Sequence, residues 1–247
     1  MQKPYKHDTL QIFWADKKKL NIKKPLALGI AIIFLTSPII LLYQTSYSTP
    51  KPQIVLPIRI ACVGDSITEI TSYTSHLQSM LGPNYTVGNF GVSGSTVTLN
   101  SSKPYMKQPQ YTAAQNFDPD IVVIMLGTND AHSYLQKYSG NFVRDYILLA
   151  DSFENLSSTK QVIVVKSPPV YNNNLDLNPF FFAQRVIPSI EDVANQQNLP
   201  TVDVYDAFGN HSDYTVDGVH PNDEGATLIA SQVANAITID DYVNLLK

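Results

Sequence analysis

The chain predicts an α/β domain with helices on both faces of a parallel sheet, and three observations lead there. Strand-like apolar runs recur at Ile58–Val63, Tyr85–Phe90, Ile121–Leu126, Gln161–Val165 and Thr201–Tyr205. Helix-period patterns fall between and after them, and that alternation is the signature of parallel βαβ units. The third run, Ile121-Val122-Val123-Ile124-Met125-Leu126, is apolar without a break. A strand on one solvated face would alternate, so this one is expected at the sheet centre, covered on both sides.

Ahead of that domain lie three segments. Residues 1–25 carry Lys3, Lys6, Lys17, Lys18, Lys19, Lys23 and Lys24 against Asp8 and Asp16. Leu26 to Tyr43 reads LALGIAIIFLTSPIILLY, with no charge. At about 1.5 Å rise per residue it would span about 27 Å, close to the hydrocarbon thickness of a bilayer. The lysines precede it, so the positive-inside rule predicts a cytoplasmic tail, a transmembrane anchor and an extracytoplasmic remainder. A cleaved signal peptide is the alternative, with Ser46-Tyr47-Ser48 as a small-x-small site. Residues 44–57 contain Pro50, Pro52 and Pro57 and are expected to be a stiff linker. The remaining residues, 58–247, form the single expected domain.

The helical patterns of that domain lie near Tyr73–Leu81, Phe142–Glu154, Phe180–Gln197 and Asn222–Ala236. The net charge is −4, and past the amino-terminal tail the chain is acidic with no basic stripe. That argues against nucleic acid as a partner. Cys62 is the lone cysteine, so no internal disulfide is available. Its strand context marks it as a small buried hydrophobe. Sequons at Asn84, Asn100, Asn155 and Asn210 permit glycosylation without arguing for it.

In a parallel sheet of this kind the site lies at the carboxyl ends of the strands. Three strand ends carry chemistry there. Gly64-Asp65-Ser66-Ile67-Thr68 follows the first run and should open a helix, whose free N–H groups favour a nucleophile and an adjacent oxyanion. An N-capping serine is the plainer reading of the same residues. After the second run, Asn89-Phe90-Gly91-Val92-Ser93-Gly94-Ser95 offers the Gly94 N–H as an oxyanion donor. After the third, Gly127-Thr128-Asn129-Asp130 offers a side-chain amide for the same charge. Before the last helix stands Asp217-Gly218-Val219-His220-Pro221. A spacing of three on a loop lets the carboxylate reach Nδ1–H of the imidazole, leaving Nε2 to take a serine proton. His7 is expected in the cytoplasm and His76 within a helix, while His132 and His211 could reach the cleft rim but lack this carboxylate spacing.

These four blocks resemble those of the SGNH (GDSL-type) hydrolase superfamily over residues 58–238. The resemblance implies a three-layer α/β/α, flavodoxin-like sandwich with a five-stranded parallel sheet and no metal or other cofactor. It implies Ser66 as nucleophile, Asp217 and His220 as its triad partners, and Ser66 N–H, Gly94 and Asn129 as the oxyanion hole. More finely, residues 88–94, then Pro104-Tyr105 with Gln108 and Tyr111, then residues 119–124, look like the carbohydrate-esterase branch, whose members are sialate O-acetylesterase-like or acetylxylan-esterase-like. The implied reaction is hydrolysis of small acyl esters, acetyl above all, on a glycan or other small molecule.

Specificity is carried by loops rather than by the four blocks. Tyr105 and Gln108 in residues 95–112, and Arg185 in residues 167–185, are the expected substrate-binding side chains. Phe180, Phe181 and Phe182 are read as packing a helix onto the sheet. A lipase or thioesterase for longer chains, acyl transfer to a sugar, and an idle glycan-binding module on the same fold are the competing functions.

Overall fold

The computed structural model describes residues 57–245, with side chains to residue 238. The expected tail (1–25), membrane span (26–43) and all but the last residue of the linker (44–57) lie outside the described residues. Among those described, no helix is long and apolar enough to cross a membrane.

Strand β1 (Ile58–Gly64) leads into helices α1 (Ser66–Ile70) and α2 (Tyr73–Leu81), then β2 (Tyr85–Gly91) and α3 (Pro109–Asn116). Next come β3 (Ile121–Met125), α4 (Phe142–Glu154) and β4 (Gln161–Lys166). The chain closes with α5 (Ile187–Gln197), β5 (Thr201–Asp203), α6 (Val204–Phe208) and α7 (Asp223–Leu245). All neighbouring strands are parallel and the order is β2-β1-β3-β4-β5. The chain winds from β1 out to β2, then crosses back past β1 to β3 and on to β5, so a crevice opens beyond the carboxyl ends of β1 and β3.

Alternation along each strand builds two cores. Ala61 and Val63 join Val122, Ile124, Val162 and Val164 on one face, against Tyr146, Leu149 and Phe153 of α4 and Ile190 and Val193 of α5. Ile60 and Cys62 join Val123, Met125, Ile163 and Val165 on the other, against Tyr73 and Leu77 of α2 and Ile229 and Val233 of α7. Strand β3 is buried at every residue, as its unbroken apolar run demands. Truncating a ring such as Phe153 to alanine there costs about 3–5 kcal/mol. Cys62 is fully buried, and burial pushes its thiol up to about 12. It is an inert core group.

Three elements depart from the sequence expectation. The fifth strand stops at Asp203, whose Oδ1 accepts the Asp206 N–H at 2.9 Å and caps α6, so Val204 and Tyr205 are helical. The helix expected over 180–197 starts at Pro179 and widens to a π turn over Phe182–Val186. Pro188 has no N–H to return to the Gln184 carbonyl, and its ring would crowd that carbonyl in an α-helix; the wider turn relieves both. Helix α3 was not expected: of its eight residues only Ala114 is buried, so it carries almost no periodic signal.

Candidate active site

The site begins with a cap. Asp65 Oδ1 accepts the Ile67 N–H at 2.9 Å, which starts α1 and makes Ser66 its first residue. Close approach to β3 requires glycine just before it: a Cβ on Gly64 would lie 2.8 Å from the Met125 carbonyl oxygen. Ser66 is 9% exposed, enough for its hydroxyl to meet a ligand.

The Asp217–His220 loop folds on itself. Val216 N–H donates to His220 O at 2.9 Å, and Thr215 bridges Pro221. Within it, Asp217 Oδ1 accepts the N–H groups of Val219 (3.0 Å) and His220 (2.8 Å). Oδ2 meets His220 Nδ1 at 2.7 Å. The carboxylate therefore fixes the proton on Nδ1, and Nε2 accepts from Ser66 Oγ at 2.9 Å. Partial burial alone would raise the Asp217 pKa, but the bonds from the His220 and Val219 backbone and from the imidazole hold it below the usual carboxylate range.

Two further strand ends complete the site. Asn129, 8% exposed, follows β3 and donates one amide hydrogen to Ser95 O at 3.0 Å. Its second hydrogen is left for a ligand. Gly94 follows β2 with φ +73°, a conformation only glycine adopts freely. The loop between them is pinned from beneath. Asp130 accepts the Val97 and Thr98 N–H groups, each at 2.9 Å, and Asp145 accepts the Leu99 N–H at 2.9 Å. Burial pushes Asp130 up to about 6 even with those donors, and Asp145 nearby adds to the rise. Asp65 is likewise raised to about 6 by burial.

Ser66, Gly94, Asn129 and His220 line one pocket of about 340 Å³. Its apolar walls are Ile70, Leu175, Leu177 and Val219, and His132 stands at its edge. The exposed ring of Tyr134 stacks on His132 with centroids 5.2 Å apart. The structure thus brings together all five residues expected for the triad and oxyanion hole. Among the described residues, no group of three or more His, Cys, Asp or Glu is placed to hold a metal.

The expected substrate-binding side chains are placed elsewhere. Tyr105 is fully buried; its hydroxyl donates to Phe90 O at 2.7 Å and its ring packs edge-on to Tyr111. It is a core residue, since residues 96 and 104 pair and turn the chain inward there. Gln108 precedes α3 and spends its amide on Pro104 O at 2.9 Å, outside the pocket. Arg185 borders a second cavity of about 520 Å³, with Asp130, Gln136, Phe181 and Ser189. Of the three phenylalanines, Phe182 is buried in the core while Phe180 is 76% exposed. The pinning carboxylates Asp130 and Asp145 are not among the residues the sequence predicts for the site. Asp130 stands in the quoted Gly127–Asp130 block, whereas Asp145 reaches its partner across 46 residues and leaves no local signal.

The parallel five-stranded sheet thus carries Ser66, His220 and Asp217 in one hydrogen-bonded series at its switch point. The family model described as GDSL-like lipase/acylhydrolase matches residues 62–228, and the chain belongs to that family. It is 32% identical over 206 residues to an acetylxylan esterase of Xylanibacter ruminicola, covering 73% of this chain and 43% of the relative. The chain thus spans less than half the length of that relative. Among solved structures, an inhibitor-bound aryl esterase of M. smegmatis superposes with TM-score 0.59 at 19% identity, covering 73% of this chain and 98% of that one. An acetylxylan esterase of Geobacillus stearothermophilus gives TM-score 0.58 at 21% identity, covering 75% and 96%. At such identities these two show the shared fold.

Proposed function

We propose that this domain hydrolyses acetyl and other small acyl esters of carbohydrates through a Ser66 acyl-enzyme. The observation that carries the reading is the unbroken relay from Asp217 through His220 to Ser66, opening on the pocket that Asn129 and Gly94 border. His220 Nε2 takes the Ser66 proton as Oγ bonds to the ester carbon. The carbonyl oxygen gains charge and is held by the N–H groups of Ser66 and Gly94 and by the free Asn129 amide hydrogen. His220 then returns the proton to the departing sugar hydroxyl, and a water activated by His220 releases the acid.

Two features support a sugar ester. The acetylxylan esterase relative bears that activity in its name. The Tyr134 ring stacked on His132 offers an exposed aromatic face at the pocket edge, suited to a pyranose. Longer acyl chains are the second reading, favoured by the exposed apolar side chains of Ile70 and Leu175 at the pocket. The charge pattern of residues 1–43 supports a membrane-anchored enzyme facing away from the cytoplasm. Digestion of intact cells by an added protease tests that placement.

The deciding experiment is hydrolysis of p-nitrophenyl acetate and octanoate by the full-length protein beside Ser66→Ala. Preference for acetate, lost in the variant at an unchanged Tm, is expected. Preference for octanoate moves the substrate to lipids or thioesters. Equal activity in Ser66→Ala removes Ser66 as nucleophile.

A further inference from the structure

The residues Val92–Ser95 form the turn that carries Gly94 to the pocket. Ser95 N–H donates to Val92 O at 3.0 Å, closing a β-turn with Ser93 and Gly94 at its centre. Gly94 has positive φ and Ser93 does not. That pair of signs makes a type II turn, in which the Ser93–Gly94 peptide is flipped relative to type I. Glycine tolerates both arrangements, so its own backbone does not choose between them. The choice matters, because the peptide is planar and trans: where Ser93 C=O points one way, Gly94 N–H points the other. No protein acceptor among the described residues takes the Gly94 N–H.

Two charged side chains hold Ser93. Lys103 Nζ donates to Ser93 O at 2.8 Å, and Glu69 Oε2 accepts the Ser93 N–H at 2.6 Å. The Ser93 hydrogen bonds, with Lys103 nearby, hold the Glu69 carboxyl below the usual range. The reach of Lys103 is itself set by backbone pairing: Thr96 N–H donates to Lys103 O at 3.1 Å and Tyr105 N–H to Thr96 O at 2.9 Å.

We propose that Lys103 is a positioning residue of the oxyanion hole. Its ammonium grips the Ser93 carbonyl and so keeps the other end of that peptide, the Gly94 N–H, directed at the reacting carbonyl oxygen. A charge-assisted bond on the carbonyl also polarises the peptide and strengthens that N–H as a donor. The inference rests on the serine-esterase reading for its catalytic consequence, and on the turn geometry alone for its structural one. Lys103 is exposed and touches neither Ser66 nor His220, so its effect passes through the turn.

Three proteins test this: wild type, Lys103→Met and Lys103→Arg. Weakening one donor costs less than deleting it, so kcat for p-nitrophenyl acetate should fall about tenfold in Lys103→Met, against the about 10²–10³ of a deleted donor. KM should stay within about twofold and Tm within about 2 °C, as for an exposed substitution. Lys103→Arg should recover most of kcat. In a 15N–1H spectrum the Gly94 amide peak should move in Lys103→Met and return in Lys103→Arg. An unmoved Gly94 peak, a wild-type kcat in Lys103→Met, or a change confined to KM would each overturn the proposal. A wild type that hydrolyses no ester would sink the esterase reading instead, while the amide spectrum would still decide whether Lys103 holds the peptide.

Discussion

Replacing Asn129 by alanine separates two jobs that one side chain does. One amide hydrogen is spent on Ser95 O at 3.0 Å, and the other is free at the pocket. Losing the first removes a buried hydrogen bond worth about 1 kcal/mol. For a domain of this size that lowers Tm by about 2–4 °C. On the proposed mechanism, losing the second removes a donor that acts when charge gathers on the carbonyl oxygen, which would cost about 3–4 kcal/mol of transition-state stabilisation, or about 10²–10³ in kcat. A neutral ester carbonyl draws little on that donor, so KM should barely change. Steady-state p-nitrophenyl acetate hydrolysis with a thermal melt of the same samples reads both effects. A rise in KM at constant kcat would make Asn129 a ground-state contact and refute the oxyanion assignment. A kcat within threefold of wild type would do the same.

Two other substitutions check the placement of buried groups. Tyr105→Phe should cost about 1 kcal/mol of stability through the lost bond to Phe90 O, with kcat and KM unchanged; a selective rise in KM for a sugar ester would return Tyr105 to the substrate. Burial raises the folded pKa of Asp130 to about 6 from an unfolded value near 3.8, so the unfolded chain gives up its proton first as pH rises. Its contribution to stability is full below about pH 4 and is lost as pH climbs through about 6. Urea denaturation across that window should show the stability of wild type falling relative to Asp130→Asn. Parallel curves would mean that Asp130 is already ionised in the fold at low pH.

Much of this molecule is legible locally. An unbroken apolar run names β3 as central, and the helix patterns at 73–81 and 142–154 match α2 and α4 end to end. The residues expected for the triad and oxyanion hole sit in turns whose glycines, caps and short spacings are local features, so their meeting at one pocket follows from local signals. What failed was the direction of loop side chains. Tyr105 and Gln108 lie in a segment with no period, and only the pairing of residues 96 and 104, invisible in composition, turns Tyr105 inward. Helix α6 was hidden because Thr201–Tyr205 alternates like a strand until Asp203 caps it. The Asp130, Asp145 and Lys103 contacts join residues that local spacing does not associate.

Ser66 and His220 meet across 154 residues. Ser66 leaves the first strand, and His220 arrives just before the last helix, which packs on α2 through Ile229 and Val233. Ser72 Oγ and His76 Nε2 both bond Asp223 Oδ1 at 2.8 Å, fastening the start of that helix three residues from His220. A chain emerging from the ribosome therefore carries Ser66 long before it carries the imidazole that meets it. On the proposed mechanism hydrolysis would switch on only when the final segment docks, so turnover of an ester would itself gauge complete folding, and a truncation that stops short of residue 220 would yield a silent protein.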